Sequence, residues 1–211
     1  MPTITSIEKY KGSTMRVDFD EGEPLFINVD VLNEYHLQKD MTLPESAVFE
    51  IVHANDFRRA KERALYLLDE RDYSYIELYK KLERNYDEDI CLEVCNRLSE
   101  IGCINDRRYS ERLAEHYCVT KRFGLRRARE EMRKRGISNE LITEALYPYE
   151  DTVPDRISEL IEKKYARYLT DEKGVQKVKA ALVCQGYSFS EVNKALSEYE
   201  YEDEIEEGEE D

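Results

Sequence analysis

The chain has 211 residues, a formal net charge of -15, 37% charged residues and 41% hydrophobic ones. That is enough apolar material for packed cores, and the charge load suits thin amphipathic helices with much exposed surface. Eight glycines and five prolines argue against a disordered chain or a loop-rich sandwich. No run approaches the roughly 18–20 apolar residues that span a bilayer, and the opening residues lack the charged and apolar regions of a secretory signal. A cytoplasmic protein with no membrane association is expected.

Residues 3–35 read as three short strands. Met15, Val17 and Phe19 alternate with Arg16, Asp18 and Asp20, and Leu25, Ile27, Val29 and Val31 repeat that period of two. Turns at Lys11-Gly12-Ser13 and around Gly22-Glu23-Pro24 separate the runs. Such a sheet needs an apolar surface to lie on, and the helix that follows is the first choice. Pro44 suits the first turn of that helix. Asn55 or Asp56 can cap a second helix, with Ala60, Ala64, Leu67 and Leu68 on its apolar side. Beyond this point nothing alternates as a strand does.

The helical remainder repeats itself. Met132, Gly136, Ile142 and Leu146 have the same spacing as Leu182, Gly186, Val192 and Leu196. An earlier unit, Leu78-x3-Leu82 then Val94-x3-Leu98, matches if two extra residues are allowed near Asn85-Tyr86-Asp87, where the glycine is missing. Each matching glycine falls where a helix must stop, and Ser138 and Ser188 can cap the helix after it. A further helix precedes each pair, over 60–69, 109–120 and 157–169. The predicted fold is mainly α, an elongated tandem array of three-helix repeats with a small N-terminal antiparallel β element. Its parts are a strand element with a connecting helix over 1–55, repeats over 56–104, 105–150 and 151–200, and an acidic tail over 201–211. The last fourteen residues hold ten Asp/Glu and no Lys or Arg, so the later part of this tail, from about Glu202, is expected to be disordered.

No catalytic constellation is present: no phosphate-binding glycine loop, no nucleophile elbow, no zinc-binding His pair. The five cysteines are odd in number and form no Cys-x-x-Cys pair. Cys91 and Cys95 would share a helix face, but no histidine stands at ligand spacing to them. Neither an enzyme nor a bound metal or cofactor is expected.

Charge is the one feature the repeats do not share. Residues 107–136 carry eleven Lys/Arg against four Glu, a basic helical island in an acidic molecule. On the helix from Leu125, the residues Leu125, Ala128 and Met132 form the buried stripe. Arg126, Arg129 and Arg133 run beside it, with Arg127 and Lys134 further round and Lys121 and Arg122 just ahead. Arginine forks suit phosphate or carboxylate oxygens, so these seven are the candidate partner or nucleic-acid contacts. The bland alternative is a solvated face whose arginines pair with Glu130 and Glu131.

Several short stretches resemble the RecX family of bacterial recombination regulators. Arg71-Asp72-Tyr73-Ser74 with Glu77-Leu78 and Lys81-Leu82 is similar to the family's opening R-x-x-S-x-x-E-L-x-x-K-L pattern. Gly102-Cys103-Ile104-Asn105-Asp106 with Tyr109 resembles its repeat junction. Lys121-Arg122-Phe123-Gly124 and Met132-x-x-Arg135-Gly136-Ile137 resemble its second-repeat elements, with Phe123 where the family often has Gly and Met132 for Leu. The third unit matches more weakly, through Lys179, Leu182 and Gln185-Gly186-Tyr187. Taken in order, the marks extend over about 60–199.

The resemblance implies a regulatory protein in DNA repair, recombination and the SOS response, and a monomer is expected. Such a protein binds along the groove of the RecA recombinase filament and alters, usually by inhibition, its assembly, ATP hydrolysis and strand exchange. DNA within the filament would be a second contact. The acidic charge of the whole chain speaks against strong binding to free DNA. The alternative is a sequence-nonspecific nucleic-acid-binding helical protein with no recombinase partner.

Overall fold

The computed structural model describes residues 1–206. Three antiparallel strands in the order β1-β2-β3 open the chain: β1 (Ile4–Lys11), β2 (Thr14–Phe19) and β3 (Leu25–Asn28). The alternation predicted for residues 14–27 is realised in the pairing, with Val17 opposite both Ile7 and Leu25. The third strand ends earlier than its pattern suggests. The Asn28 side chain accepts the Asp30 N–H and caps a short helix, α1 (Val29–Glu34). Val29 and Val31 therefore lie on a helix, and Val31 still reaches the core.

The next helix, α2 (Glu45–Glu70), is continuous over 26 residues where a break near Asn55 is predicted. No glycine or proline interrupts it, and the capping chemistry of Asn55 is used elsewhere. Its buried amide accepts the Asn28 N–H at 2.9 Å and donates to the Phe26 carbonyl at 3.3 Å, pinning the helix to β3. The expected boundary between residues 55 and 56 falls within this helix. Its N-terminal part closes the sheet's core, where Ile51 joins Ile4, Val17, Ile27, Val31, Leu37 and Leu43. Its C-terminal part buries Ala60, Ala64 and Leu67 and precedes α3 (Tyr75–Leu82) and α4 (Glu88–Glu100).

Two further groups of helices follow. The first comprises α5 (Asp106–Glu115), which runs into a π-helical turn at His116–Thr120, then α6 (Leu125–Lys134) and α7 (Asn139–Leu146). The second comprises α8 (Val153–Leu160) with a π turn at Ile161–Tyr165, a 3-10 turn at Ala166–Tyr168, α9 (Glu172–Cys184) and α10 (Phe189–Glu206). The cap predicted at Ser138 is formed, and Asn105 caps α5 in the same way. Ser188 and Glu191 satisfy each other's backbone N–H groups in a capping box. Each group has its own core. Tyr109, Leu113, Tyr117, Ala128, Met132, Ile142 and Leu146 pack in one, and Ile157, Ile161, Tyr165, Val178, Leu182, Val192 and Leu196 in the other. The acidic tail expected over 201–211 begins within α10, and its last residues, 207–211, lie outside the described residues.

The chain divides into two compact units. One is Met1–Asp72 with Glu77–Ile104; the other is Tyr73–Ile76 with the chain from Asn105. The protein is thus mainly helical, with a small N-terminal antiparallel sheet. Among the described residues no helix is long and apolar enough to cross a membrane.

Candidate partner interface

The basic helix α6 lies in the second unit with Ala128 and Met132 fully buried. Leu125, at its start, packs against both cores of that unit. The apolar stripe is the one the spacing predicts. The basic residues beside it do not act together.

Two of the seven candidates are turned onto the end of α9. Arg126 donates to the Val183 carbonyl at 3.1 Å and Arg127 to the Cys184 carbonyl at 3.3 Å. The Gly124 N–H donates to the Gln185 carbonyl at 2.9 Å. The last carbonyls of a helix have no partner within it, and here two arginines and a backbone amide supply them. Arg127 also covers the Phe123 ring, 4.0 Å from its centroid. Arg122 makes a two-pronged ion pair with Glu159, at 2.6 and 2.8 Å. That contact, with a further bond from Lys163, holds the Glu159 carboxyl down to about 2. Arg122 has φ +53, uncommon for a side-chain-bearing residue, and its carbonyl accepts the Tyr187 hydroxyl at 2.9 Å. Burial pushes the Tyr187 phenol up to about 12.

The other candidates differ. Lys134 pairs with Glu131 at 2.8 Å, so one of the two carboxylates foreseen as neutralising the arginines takes a lysine. Arg129 meets the Thr143 hydroxyl at 3.3 Å, and Arg133 meets the Asn139 amide oxygen at 3.0 Å. Both partners are neutral and stand on α7. Among the described residues neither arginine meets a carboxylate, and Lys121 is exposed. The stripe Arg126–Arg129–Arg133 is therefore split. Arg126 joins Arg127 in holding the end of α9 and Arg122 is spent on Glu159 of α8, while Arg129 and Arg133 keep an unneutralised charge on the α7 side, where phosphate or carboxylate oxygens can be bound by their forks.

One cation of this region escapes sequence reasoning. Arg156 on α8 is buried and donates to the carbonyls of Cys118, Phe123 and Tyr149 at 3.3, 3.4 and 3.1 Å. The available signal is its position: it sits between Val153, Ile157 and Leu160 on the apolar side of α8, where a solvated arginine has no place. The tyrosines Tyr73, Tyr75, Tyr79, Tyr117 and Tyr187 are all buried or half-buried, so they build cores more than they face partners. Cys91 and Cys95 are buried thiols, and burial pushes Cys95 up to about 12. Among the described residues no group of His, Cys, Asp and Glu could hold a metal ion.

Fold and surface together define a helical-repeat protein, built from three-helix domains and carrying a local basic face. Family models described as "RecX, first three-helix domain" and "RecX, second three-helix domain" match residues 60–98 and 105–146. The Regulatory protein RecX of Streptococcus sanguinis is 27% identical over 96% of this chain and 79% of its own length. That of Clostridioides difficile is 25% identical over 93% of this chain and 95% of its own. The crystal structure of RecX from Lactobacillus salivarius, 26% identical, superposes with a TM-score of 0.64 over 70% of this chain and 99% of that one. A second RecX crystal structure, 22% identical, shares the fold with a TM-score of 0.69 over 93% of this chain. The chain belongs to the RecX family of regulatory proteins.

Proposed function

We propose that this protein binds the RecA recombinase filament and modulates it by inhibition, altering filament assembly, ATP hydrolysis and strand exchange. The observation that carries the reading on this chain is the pair Arg129 and Arg133, held on neutral side chains with no carboxylate among the described residues. A nucleoprotein filament offers both acidic protein faces and phosphates to such a pair. The relatives named Regulatory protein RecX extend over nearly the whole chain, which supports a regulatory and non-enzymatic role. The protein acts as a monomer in this reading. Several modest contacts made at once on adjoining subunits supply the affinity, and DNA in the filament is a secondary contact.

The test is a titration of the purified cognate recombinase on single-stranded DNA. A dose-dependent fall in ATPase rate and strand exchange is expected, together with weak binding to naked DNA, because a chain of charge -15 is repelled by phosphates outside its basic face. Unchanged recombinase activity in excess protein, with tight and steeply salt-dependent binding to naked DNA, would replace this reading by that of a plain nucleic-acid-binding protein.

A further inference from the structure

Positions 74, 124 and 174 are equivalent in the three repeats, each four residues before the first inward-facing residue of its helix pair, Leu78, Ala128 and Val178. Two of them do the same thing. Gly124 lies against the turn at Gly186, where a Cβ on Gly124 would come within 2.2 Å of the Gly186 carbonyl carbon. The Gly124 N–H bonds the Gln185 carbonyl, just ahead of that turn. Ser74, also in the second unit, donates its hydroxyl to the Arg135 carbonyl, just ahead of the turn at Gly136. A Cβ on Gly136 would meet Ile76 at 2.7 Å and Ser74 Oγ at 3.3 Å. Gly136 and Gly186 have φ +76 and +97 and end their helices in the same hydrogen-bond pattern. A socket at the start of one repeat's middle helix therefore receives the glycine-closed end of the next repeat's middle helix, twice.

The third socket is shut by the chain itself. The Gly174 N–H is taken by the Asp171 carboxylate at 2.6 Å. A Cβ on Gly174 would lie 1.8 Å from the Tyr168 carbonyl oxygen, so the end of the 3-10 turn Ala166–Tyr168 fills the space beside Gly174, which lies within the first turn of α9. The stretch that closes it is two residues longer than its counterpart, as the sequence positions of Tyr165 and Gly174 against Tyr117 and Gly124 show. At the other end of the array the first repeat also carries two extra residues, around Asn85-Tyr86. Its helix ends there without glycine, and no residue of that turn has a positive φ.

We propose that the socket is an interaction surface of fixed type, whose ligand is a glycine-closed helix C-terminal turn, and that the two insertions close the array at both ends. The middle repeat alone carries both an open socket and a glycine turn, so it is compatible with a further copy of itself. End repeats that differ from the inner ones are a general requirement of stacked-repeat architectures. Here the device is a backbone plug on one side and a missing glycine on the other.

Three full-length variants test this by thermal unfolding and amide exchange. In the first, a second copy of residues 105–152 is inserted between Thr152 and Val153. In the second, the same copy is appended after residue 206. In the third, the appended copy follows a chain whose residues 166–174 are replaced by the two-residue-shorter segment 118–124. The inserted copy should unfold with its neighbours, and its α6 amides should exchange on the order of 100-fold more slowly than those of the appended copy. Removing the plug should bring the appended copy to the protection of the inserted one. The proposal is overturned if the inserted copy unfolds separately, if the appended copy docks with the plug in place, or if it stays undocked once the plug is gone.

Discussion

Gly124→Val lowers the thermal midpoint of the second unit by about 10 °C, corresponding to a loss of roughly 3 kcal/mol or more. The glycine has φ -65 and ψ 157, a conformation open to any residue, so its backbone is not the cause. What forbids a side chain is approach. The atoms nearest an added Cβ are the Gly186 carbonyl carbon at 2.2 Å, the Gly186 oxygen at 2.3 Å and the Tyr187 nitrogen at 2.3 Å. All three are backbone, and none can rotate aside. Separating them also breaks the Gly124–Gln185 hydrogen bond and draws Arg126 and Arg127 off the end of α9. Gly102 supplies the contrast. It has φ +76 but nothing within 4 Å of an added Cβ, so Gly102→Ala costs only its backbone strain, about 1 kcal/mol. Circular dichroism melts of Gly124→Ala, Gly124→Val and Gly102→Ala give the order directly. Equal midpoints for Gly124→Val and the parent protein would contradict the close approach.

Arg156→Leu is the second large effect. Leucine fits the apolar neighbours Val153, Ile157 and Leu160, and hydrophobic pattern alone would score it as an improvement. The geometry predicts the reverse. Removing the guanidinium strips the Cys118 and Phe123 carbonyls of their side-chain donor, whereas Tyr149 keeps the Thr152 hydroxyl. At about 1–3 kcal/mol for each buried group left unsatisfied, the loss for the two is roughly 2–6 kcal/mol. Denaturant unfolding should show the midpoint falling with little change in slope. Arg156→Lys, which keeps the charge but not the fork, should fall between. A leucine variant as stable as the parent would show that those carbonyls have other partners.

Most of the frame is legible in the chain because its signals are local. Gly136 and Gly186 stop helices, Asn105 and Ser138 accept N–H groups three residues on, and Met15-Val17-Phe19 alternates as a strand does. The failures share a different cause. Val29 and Val31 continue the strand pattern, but Asn28 uses its side chain to start a helix two residues earlier. Asn55 has the chemistry of a cap, yet its amide is engaged with β3, 27 and 29 residues away. Gly124 has the sequence position of a tight turn, and its real constraint is a second glycine in the next repeat.

The candidate interface was legible as a charge pattern and not as a division of labour. Arg126 and Arg129 are three apart on one helix, and nothing local distinguishes them. Arg126 finds a carbonyl 57 residues on, while Arg129 finds a threonine 14 residues on. The same ambiguity hides Arg156, whose three acceptors lie on segments that come together only in the fold. Side-chain destinations of this kind depend on packing between repeats, which a periodic pattern within one repeat does not encode.

The most direct measurement compares two charge changes on the same helix, read as inhibition of recombinase ATPase. Arg129→Glu with Arg133→Glu removes the charges that face neutral partners and leaves the α9 junction intact. Arg126→Gln with Arg127→Gln removes junction donors. The first variant should keep the parent's thermal midpoint within about 2 °C and require at least tenfold more protein for half-maximal inhibition, the equivalent of about 1.4 kcal/mol. The second should lose stability, and at a temperature where it remains folded it should inhibit nearly as well as the parent. A double glutamate variant that is folded and inhibits the recombinase at the parent's concentration would contradict the assignment of Arg129 and Arg133 as the partner contact.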